Sequence, residues 1–326
     1  MPTGLFRARL ALRAAGLSDT QPLERAPGSA NEVWLTDRYV IRITPHPSSR
    51  RLENEVEVAE LLPRDLPYPP IVGYGRAPFG EWLLQRRLPG EVLARAWPGL
   101  REDERADAVR QVGGVLRSIH AVSSQRGPWG PITSVIAEGG VEAPHQLPPS
   151  RLLELLVRAR ALPNVEREVL DDATALVRRA ASALDDGHRW GLVHGDLHFE
   201  NLLWRDGRIT GVLDFEHARS GPPDLDLEVI LRFCEEPALH VAEDYASSLN
   251  RRQFRGVVSW LEQAYPALFS HPRLEERIAL FSLSYDVPLL LRHPPRVPPR
   301  ELPPHHPYAR IRRIVQGHSP LLALTW

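Results

Sequence analysis

Apolar and polar positions alternate from Ala30 to Leu35 and again from Arg38 to Thr44, on either side of the polar pair Thr36-Asp37. That pattern predicts a β-hairpin. From Leu52 to Leu62 the period changes: Leu52, Val56, Ala59 and Leu62 fall on one helical face, and Pro63 ends it. Pro69-Pro70 leads into a short strand, Ile71–Tyr74, and the turn at Pro78–Gly80 separates it from another, Glu81–Gln85. An antiparallel sheet interrupted by one helix is expected. After Leu88-Pro89-Gly90 the pattern becomes helical. Asp103–Val122 places Ala106, Val109, Val112, Leu116 and Ile119 on one face, and Leu152–Ala161, Glu166–Leu184, Val257–Ala264 and Leu274–Leu283 repeat the period. Pro288–Pro307 is rich in proline and predicts a break in regular structure. The fold class is therefore α+β with two lobes: a small antiparallel sheet with one helix over residues 1–87, and a larger, mainly helical lobe over residues 88–326.

Composition narrows the partners. A chain of 326 residues with 43% hydrophobic content fills the cores of two lobes. The formal net charge of -1 argues against a general nucleic-acid binder, because phosphate backbones select basic surfaces. No apolar run reaches the length of a membrane span. The N-terminal stretch, interrupted by Arg7, Arg9 and Arg13, reads as a short amphipathic helix and not as a signal peptide. Cys234 is the only cysteine, which excludes an intrachain disulfide and a cysteine zinc cluster and points to a cytoplasmic setting. The chain has no lysine, so any role that needs a basic side chain falls to arginine. Oligomeric state is not legible.

One stretch concentrates chemistry. LVHGDLHFEN, Leu192–Asn201, is followed by an apolar run, then Asp206-Gly207, then a second apolar run that ends at Asp214. Asp-Gly between apolar runs is a strong hairpin signal. The hairpin's open end brings Asn201 and Asp214 together, close to Asp196. A carboxylate and an amide oxygen suit Mg²⁺, which prefers hard oxygen donors and keeps positions for substrate phosphates. A further carboxylate, Asp196, can accept the proton of an attacking hydroxyl. The spacing His-x-Asp-x-x-x-x-Asn followed by Asp-Phe is that of kinase catalytic loops. Two other readings stay open. His194 and His198 have the i,i+4 spacing of a zinc site in a metal-dependent hydrolase, although Gly195 stands where a glutamate would follow the first histidine. A polar capping loop without chemistry is the plainer one. No Gly-x-x-x-x-Gly-Lys-Ser/Thr sequence occurs, which excludes a P-loop nucleotidase.

VHGDLHFENLLW followed by GVLDFEHA resembles the aminoglycoside phosphotransferase/choline kinase-like family, small-molecule relatives of protein kinases. The resemblance implies a bilobal protein-kinase-like fold, ATP and Mg²⁺ as cofactors, Asp196 as catalytic base, and Asn201 and Asp214 as metal ligands. It makes His194 an anchor of the loop and His198 a residue that shapes it. Asp226, in GPPDLDLE, would brace the loop from below, with helix N-capping as the alternative. A protein kinase proper fits less well: Gly195 replaces the arginine of His-Arg-Asp, Glu216 follows Asp-Phe, and no Ala-Pro-Glu sequence appears. Glu216 reads as an exposed loop acid in preference to a further metal ligand.

The nucleotide half is sparser. At the first hairpin's entrance, Gly28 and Ser29 lie in a loop whose N–H groups would meet phosphate oxygens. Arg42, at the middle of the second strand, stands where the family usually has lysine. Glu55 is its expected partner and Glu53 the competitor. Backbone groups from Gln85 to Leu88 would read the adenine edge. The expected function is ATP-dependent transfer of the γ-phosphoryl group to a hydroxyl of a small molecule, such as an aminoglycoside, an amino alcohol or a sugar. The alternative is a nucleotide-binding, pseudokinase-like module without turnover, which Arg42 and the sparse phosphate loop favour. On the acceptor side, Glu235-Glu236 and Glu243-Asp244 read as an attraction for cations or as solvated helix faces, and Trp260, Tyr265 and Tyr285 as an aromatic wall or as core. Pro288–Pro307 reads as a lid or as a surface linker.

Overall fold

Helix α1 (Gly4–Ala14) buries Ala8, Ala11 and Leu12 against one face of a five-stranded antiparallel sheet. The strands are β1 (Glu24–Ala26), β2 (Glu32–Leu35), β3 (Tyr39–Thr44), β4 (Ile71–Ala77) and β5 (Gly80–Arg86), in the order β1-β2-β3-β5-β4. This is a computed structural model, and it describes residues 3–26, 31–122, 145–184, 190–319 and 321. The expected hairpin is present as β2 and β3, with Leu35 opposite Val40. β1 had no signal in the sequence, since three residues are too few to show a period.

Alternation along β3 fixes the chemistry of the two sheet faces. Tyr39, Ile41 and Ile43 join Trp82 and Leu84 under α1, so Arg42 must point to the other face. There it meets helix α2 (Arg51–Ala59). The residue before α2, Arg50, makes no side-chain cap, and Glu81 of β5 takes over: it accepts bonds from the N–H groups of Leu52 (3.4 Å) and Glu53 (3.1 Å) and from the Tyr74 hydroxyl (3.0 Å). A carboxylate at a helix N-terminus satisfies otherwise orphaned donors and complements the helix dipole.

The rest of the chain is mainly helical. Strand β6 (Glu91–Val92) and helices α3 (Leu93–Ala96), α4 (Glu102–His120), α5 (Pro149–Ala159) and α6 (Arg167–Ala180) precede the loop region. Strands β7 (Gly191–Val193), β8 (Leu202–Arg205), β9 (Arg208–Val212) and β10 (Arg219–Gly221) frame it. Helices α7 (Asp224–Glu235), α8 (Glu243–Ala246), α9 (Val257–Ala264), α10 (Leu274–Arg292) and α11 (Pro307–Val315) complete the fold. Val112, Leu116, Leu192, Val193, Phe199 and Phe233 belong to one continuous core beneath β7, and each large apolar side chain so buried contributes about 1.5–3 kcal/mol. A second cluster joins α5, α6, α10 and α11 through Leu155, Leu176, Leu283, Val287 and Tyr308.

The proline-rich segment is a correction. Pro288 lies inside α10, which runs on to Arg292. Val287 and Leu290 are fully buried on either side of it, and their packing offsets the lost helix hydrogen bond. Beyond α10 the chain is pinned by Asn164, whose amide donates to the Pro295 carbonyl at 3.2 Å, and α11 begins with Pro307 in its first turn.

Candidate active site

The loop after β7 is held from beneath. Asp226, in the first turn of α7, accepts the N–H of His194 at 2.9 Å with one carboxylate oxygen and that of Gly195 at 2.8 Å with the other. His120 Nε2, at the end of α4, lies 3.0 Å from the same carboxylate. Asp226 makes no cap bond to its own helix, so the bracing arrangement is present and the N-capping alternative is not. Gly195 has φ +78°, and a Cβ there would lie 2.5 Å from the His217 carbonyl oxygen, which makes glycine a requirement.

The hairpin of β8 and β9 turns at Asp206 (φ 49°) and Gly207 (φ 78°), the two positive φ values a type I′ turn needs. Its open end is closed by the Leu213 N–H on the Asn201 carbonyl at 2.9 Å. The Asn201 side-chain amide donates to the Asp196 carbonyl at 2.8 Å and lies 3.5 Å from the Asp196 carboxylate. That bonding turns the Asn201 amide oxygen the other way. Asp214 follows in the left-handed region (φ 65°, ψ 60°), a conformation aspartate tolerates better than most residues.

Arg42 crosses from the sheet to this loop. One guanidinium arm bonds Glu55, which is fully buried on α2; the other bonds both Asp214 and, at 3.1 Å, Glu216. Glu53 takes no part and pairs with Arg50 at 2.7 Å. Glu216 corrects the reading of it as an exposed loop acid: it is 5% exposed, and it accepts the Asn31 amide at 2.7 Å. Asn54 of α2 adds bonds to the carbonyls of Glu216 (3.3 Å) and Ala218 (3.0 Å).

Gln85 also departs from expectation. It sits within the sheet, opposite Val40 and Ile71, and the Arg86 and Arg87 N–H groups are taken by the Pro70 and Arg38 carbonyls. Its side chain faces the site, donating to the Tyr68 hydroxyl at 2.7 Å, which in turn donates to Glu55 at 3.0 Å. Gly28 and Ser29 lie outside the described residues.

Electrostatics follow from this crowding. Burial pushes the Asp196 carboxyl up to about 7; His217 opposes the rise while Asp214 and Glu216 add to it. Burial works against the charge on Arg42, yet Asp214, Glu55 and Glu216 outweigh it and raise its pKa. Burial also raises Glu216, with Asp214 adding and Arg42 opposing. Glu55, Asp214 and Glu216 meet Arg42, and Arg51 lies 3.5 Å from Glu216, so three carboxylates face two guanidiniums and one negative charge is in excess. That surplus favours a cation, and the outward donors, a carboxylate and an amide oxygen, are hard ligands of the kind Mg²⁺ takes. The histidines are committed elsewhere. His194 Nε2 lies 2.9 Å from the Leu213 carbonyl and its Nδ1 accepts the Asp196 N–H at 3.3 Å, while His198 Nδ1 accepts the Glu200 N–H. Among the described residues no group of three or more His, Cys, Asp and Glu is placed to hold a metal, which removes the support for a zinc nest.

The model of the phosphotransferase enzyme family matches residues 23–267. The chain belongs to that family. As a family member it is a phosphotransferase of kinase type. Its fold is shared with aminoglycoside phosphotransferase APH(4)-Ia, solved as a thermostable mutant in a ternary complex with ADP and hygromycin B (17% identity, 97% of this chain and 98% of that one, TM-score 0.58). ADP-bound APH(2'')-Ib is similar as well (16% identity, 92% and 95% covered, TM-score 0.59). So is APH(3'')-Id from Streptomyces rimosus (17% identity, 88% and 98% covered, TM-score 0.56). No curated protein matches the chain.

On the helical side of this phosphotransferase, Trp260 and Tyr265 pack against the core, whereas Tyr285 is near enough to feel the charge of Asp196. Tyr285 stacks on His145 with centroids 4.4 Å apart, and the Arg232 guanidinium lies over its ring at 4.2 Å. One member of each acidic pair is partnered: Asp244 with Arg95 at 2.7 Å, Glu235 with Arg310 at 4.0 Å. Sequence reasoning missed Asn31, Tyr68 and the buried role of Glu216. A polar residue two places after Asp214 was the only signal for the last. No helix among the described residues is long and apolar enough to cross a membrane.

Proposed function

We propose that the chain transfers the γ-phosphoryl group of ATP to a hydroxyl of a small molecule. The observation that carries this reading is the convergence of Asp196, Asn201 and Asp214 at the hairpin's open end, with Arg42 reaching Asp214 from the sheet and Glu55 holding Arg42 from α2. In this reading Asp196 accepts the acceptor's hydroxyl proton as the new P–O bond forms and the bond to ADP breaks. A base with a carboxyl lifted to about 7 is matched to neutral pH. Asn201 keeps the Asp196 backbone in place, and Arg42, steadied by Glu55, meets the nucleotide phosphates. Asn201 and Asp214 would hold Mg²⁺, which supplies positive charge for the β- and γ-phosphate oxygens. The loop containing Gly28 and Ser29 and the chain beyond Gln85 would hold the nucleotide from the sheet side. The likeness to aminoglycoside phosphotransferases puts aminoglycosides first in the acceptor panel, with amino alcohols and sugars after them.

The direct bond between Arg42 and Asp214 favours the second reading, a module that binds nucleotide without turnover. The two separate in one experiment. Melting with ATP and Mg²⁺ should raise the transition temperature, and ADP release against the panel should fall when Asp196 is changed to Asn. A missing nucleotide shift removes both readings. Nucleotide binding without ADP release, or release that survives Asp196→Asn, removes the proposed role of Asp196.

A further inference from the structure

We infer that Glu216 is a positioning residue: it holds Arg42 when Asp214 turns to the metal, so that arginine serves where a lysine would otherwise stand. This rests on the reading of Asp214 as a metal ligand. The argument starts from the guanidinium. A lysine ammonium is compact and shifts between partners, whereas an arginine presents a rigid fork whose arms each need an acceptor. In Arg42 one arm is fixed by Glu55, and the other is shared between Asp214 and Glu216. With Asp214 turned to a bound cation, that second arm would lose this acceptor. Glu216 is the acceptor that remains, and it is held ready: Asn31 fixes one of its oxygens at 2.7 Å, and Arg51 lies 3.5 Å from the other. Asn31 is itself tied to β3 through Thr44, whose hydroxyl donates to the Asn31 amide oxygen at 2.6 Å. The strand that carries Arg42 and the carboxylate that receives it therefore move as a unit. Remove Glu216, and the second arm keeps only Asp214, for which the metal must then compete.

The test is calorimetric titration of ADP into the full chain, with Mg²⁺ and separately with EDTA. The variants are Glu216→Gln, Arg42→Lys and the pair together. Glu216→Gln should weaken ADP binding about tenfold in Mg²⁺ and by no more than about twofold in EDTA, and the Arg42→Lys background should shrink the Mg²⁺ penalty to about twofold. Asn31→Ala, which removes only the bond steering Glu216, should give the same metal-specific loss at about threefold and serves if Glu216→Gln does not fold. A loss of equal size with and without Mg²⁺, or a penalty undiminished in Arg42→Lys, overturns the inference while leaving the phosphotransferase reading intact. A wild-type chain that binds ADP no better with Mg²⁺ removes the metal site itself, and the inference with it.

Discussion

Asp196 draws its acidity first from burial of the carboxyl and then from the charges around it. A third of its side chain is accessible (34%), yet burial still lifts its carboxyl to about 7, with Asp214 and Glu216 adding and His217 and the Asn201 amide opposing. In the proposed reaction, Asp196→Asn should lower turnover by about 10²–10⁴-fold, the usual share of a general base, while leaving ADP affinity within about twofold. Single-turnover kinetics and calorimetry check the two halves, and a fall in affinity as large as the fall in rate would show a binding role instead. Gly195 makes a stability prediction. A Cβ would meet the His217 carbonyl at 2.5 Å, and the residue needs φ +78°. Gly195→Ala should cost at least about 2 kcal/mol, read as a lower urea midpoint at unchanged slope. The motif residues were legible because their chemistry is packed into ten consecutive positions. Glu216 was not, since the partners that bury it, Asn31 and Arg42, lie 185 and 174 residues upstream. A local sequence window holds no trace of such contacts.

At the scale of elements, the sequence period found most helices and the two hairpins, and it failed where tertiary packing decides. Helix α10 passes through Pro288 because Val287 and Leu290 are both buried, a condition invisible to a rule based on proline alone. Helix α7 escaped notice because residues from Asp224 to Cys234 are buried all round, so no polar face marks its period. The N-terminus of α2 shows the same dependence, as its cap comes from Glu81 on a neighbouring strand. Glu81→Ala leaves the Leu52 and Glu53 N–H groups and the Tyr74 hydroxyl without this acceptor and should cost about 1–3 kcal/mol in urea unfolding. Glu55 rides on α2, so the same variant should also weaken ADP binding. A variant that loses stability but binds ADP as the wild type does would show that Arg42 is held without help from the helix end.

At the scale of the whole molecule, one pH-sensitive group of buried charges lies between α7, α10 and α11. Glu228 bonds Arg232 at 2.9 Å, Ser282 at 2.8 Å and His145, while Arg232 and Arg310 converge on Asp286 at 3.0 and 3.2 Å. Burial opposes the charge on Glu228, but Arg232 and His145 outweigh it and hold the carboxyl well below its usual 4.5. Burial also depresses His145 below its usual 6.5, against the pull of Glu228. Both shifts have the same sign for stability. Where the folded pKa is lower, the unfolded chain binds more protons, so stability falls as pH falls. The His145 contribution is intact above 6.5 and declines below it; the Glu228 contribution is intact above 4.5 and is lost beneath that, as pH descends toward the folded pKa. Each proton taken up only by the unfolded chain gives a slope of about 1.4 kcal/mol per pH unit. In urea unfolding from pH 8 to pH 4 the cluster's share of stability should therefore hold steady, begin to fall below about 6.5, and steepen below about 4.5. Glu228→Gln should be less stable than the wild type at pH 7, because it takes one of two carboxylates from the buried Arg232 guanidinium, yet it should show a shallower descent below 4.5. A Glu228→Gln curve that runs parallel to the wild type at every pH would place the acid sensitivity of this phosphotransferase outside the cluster.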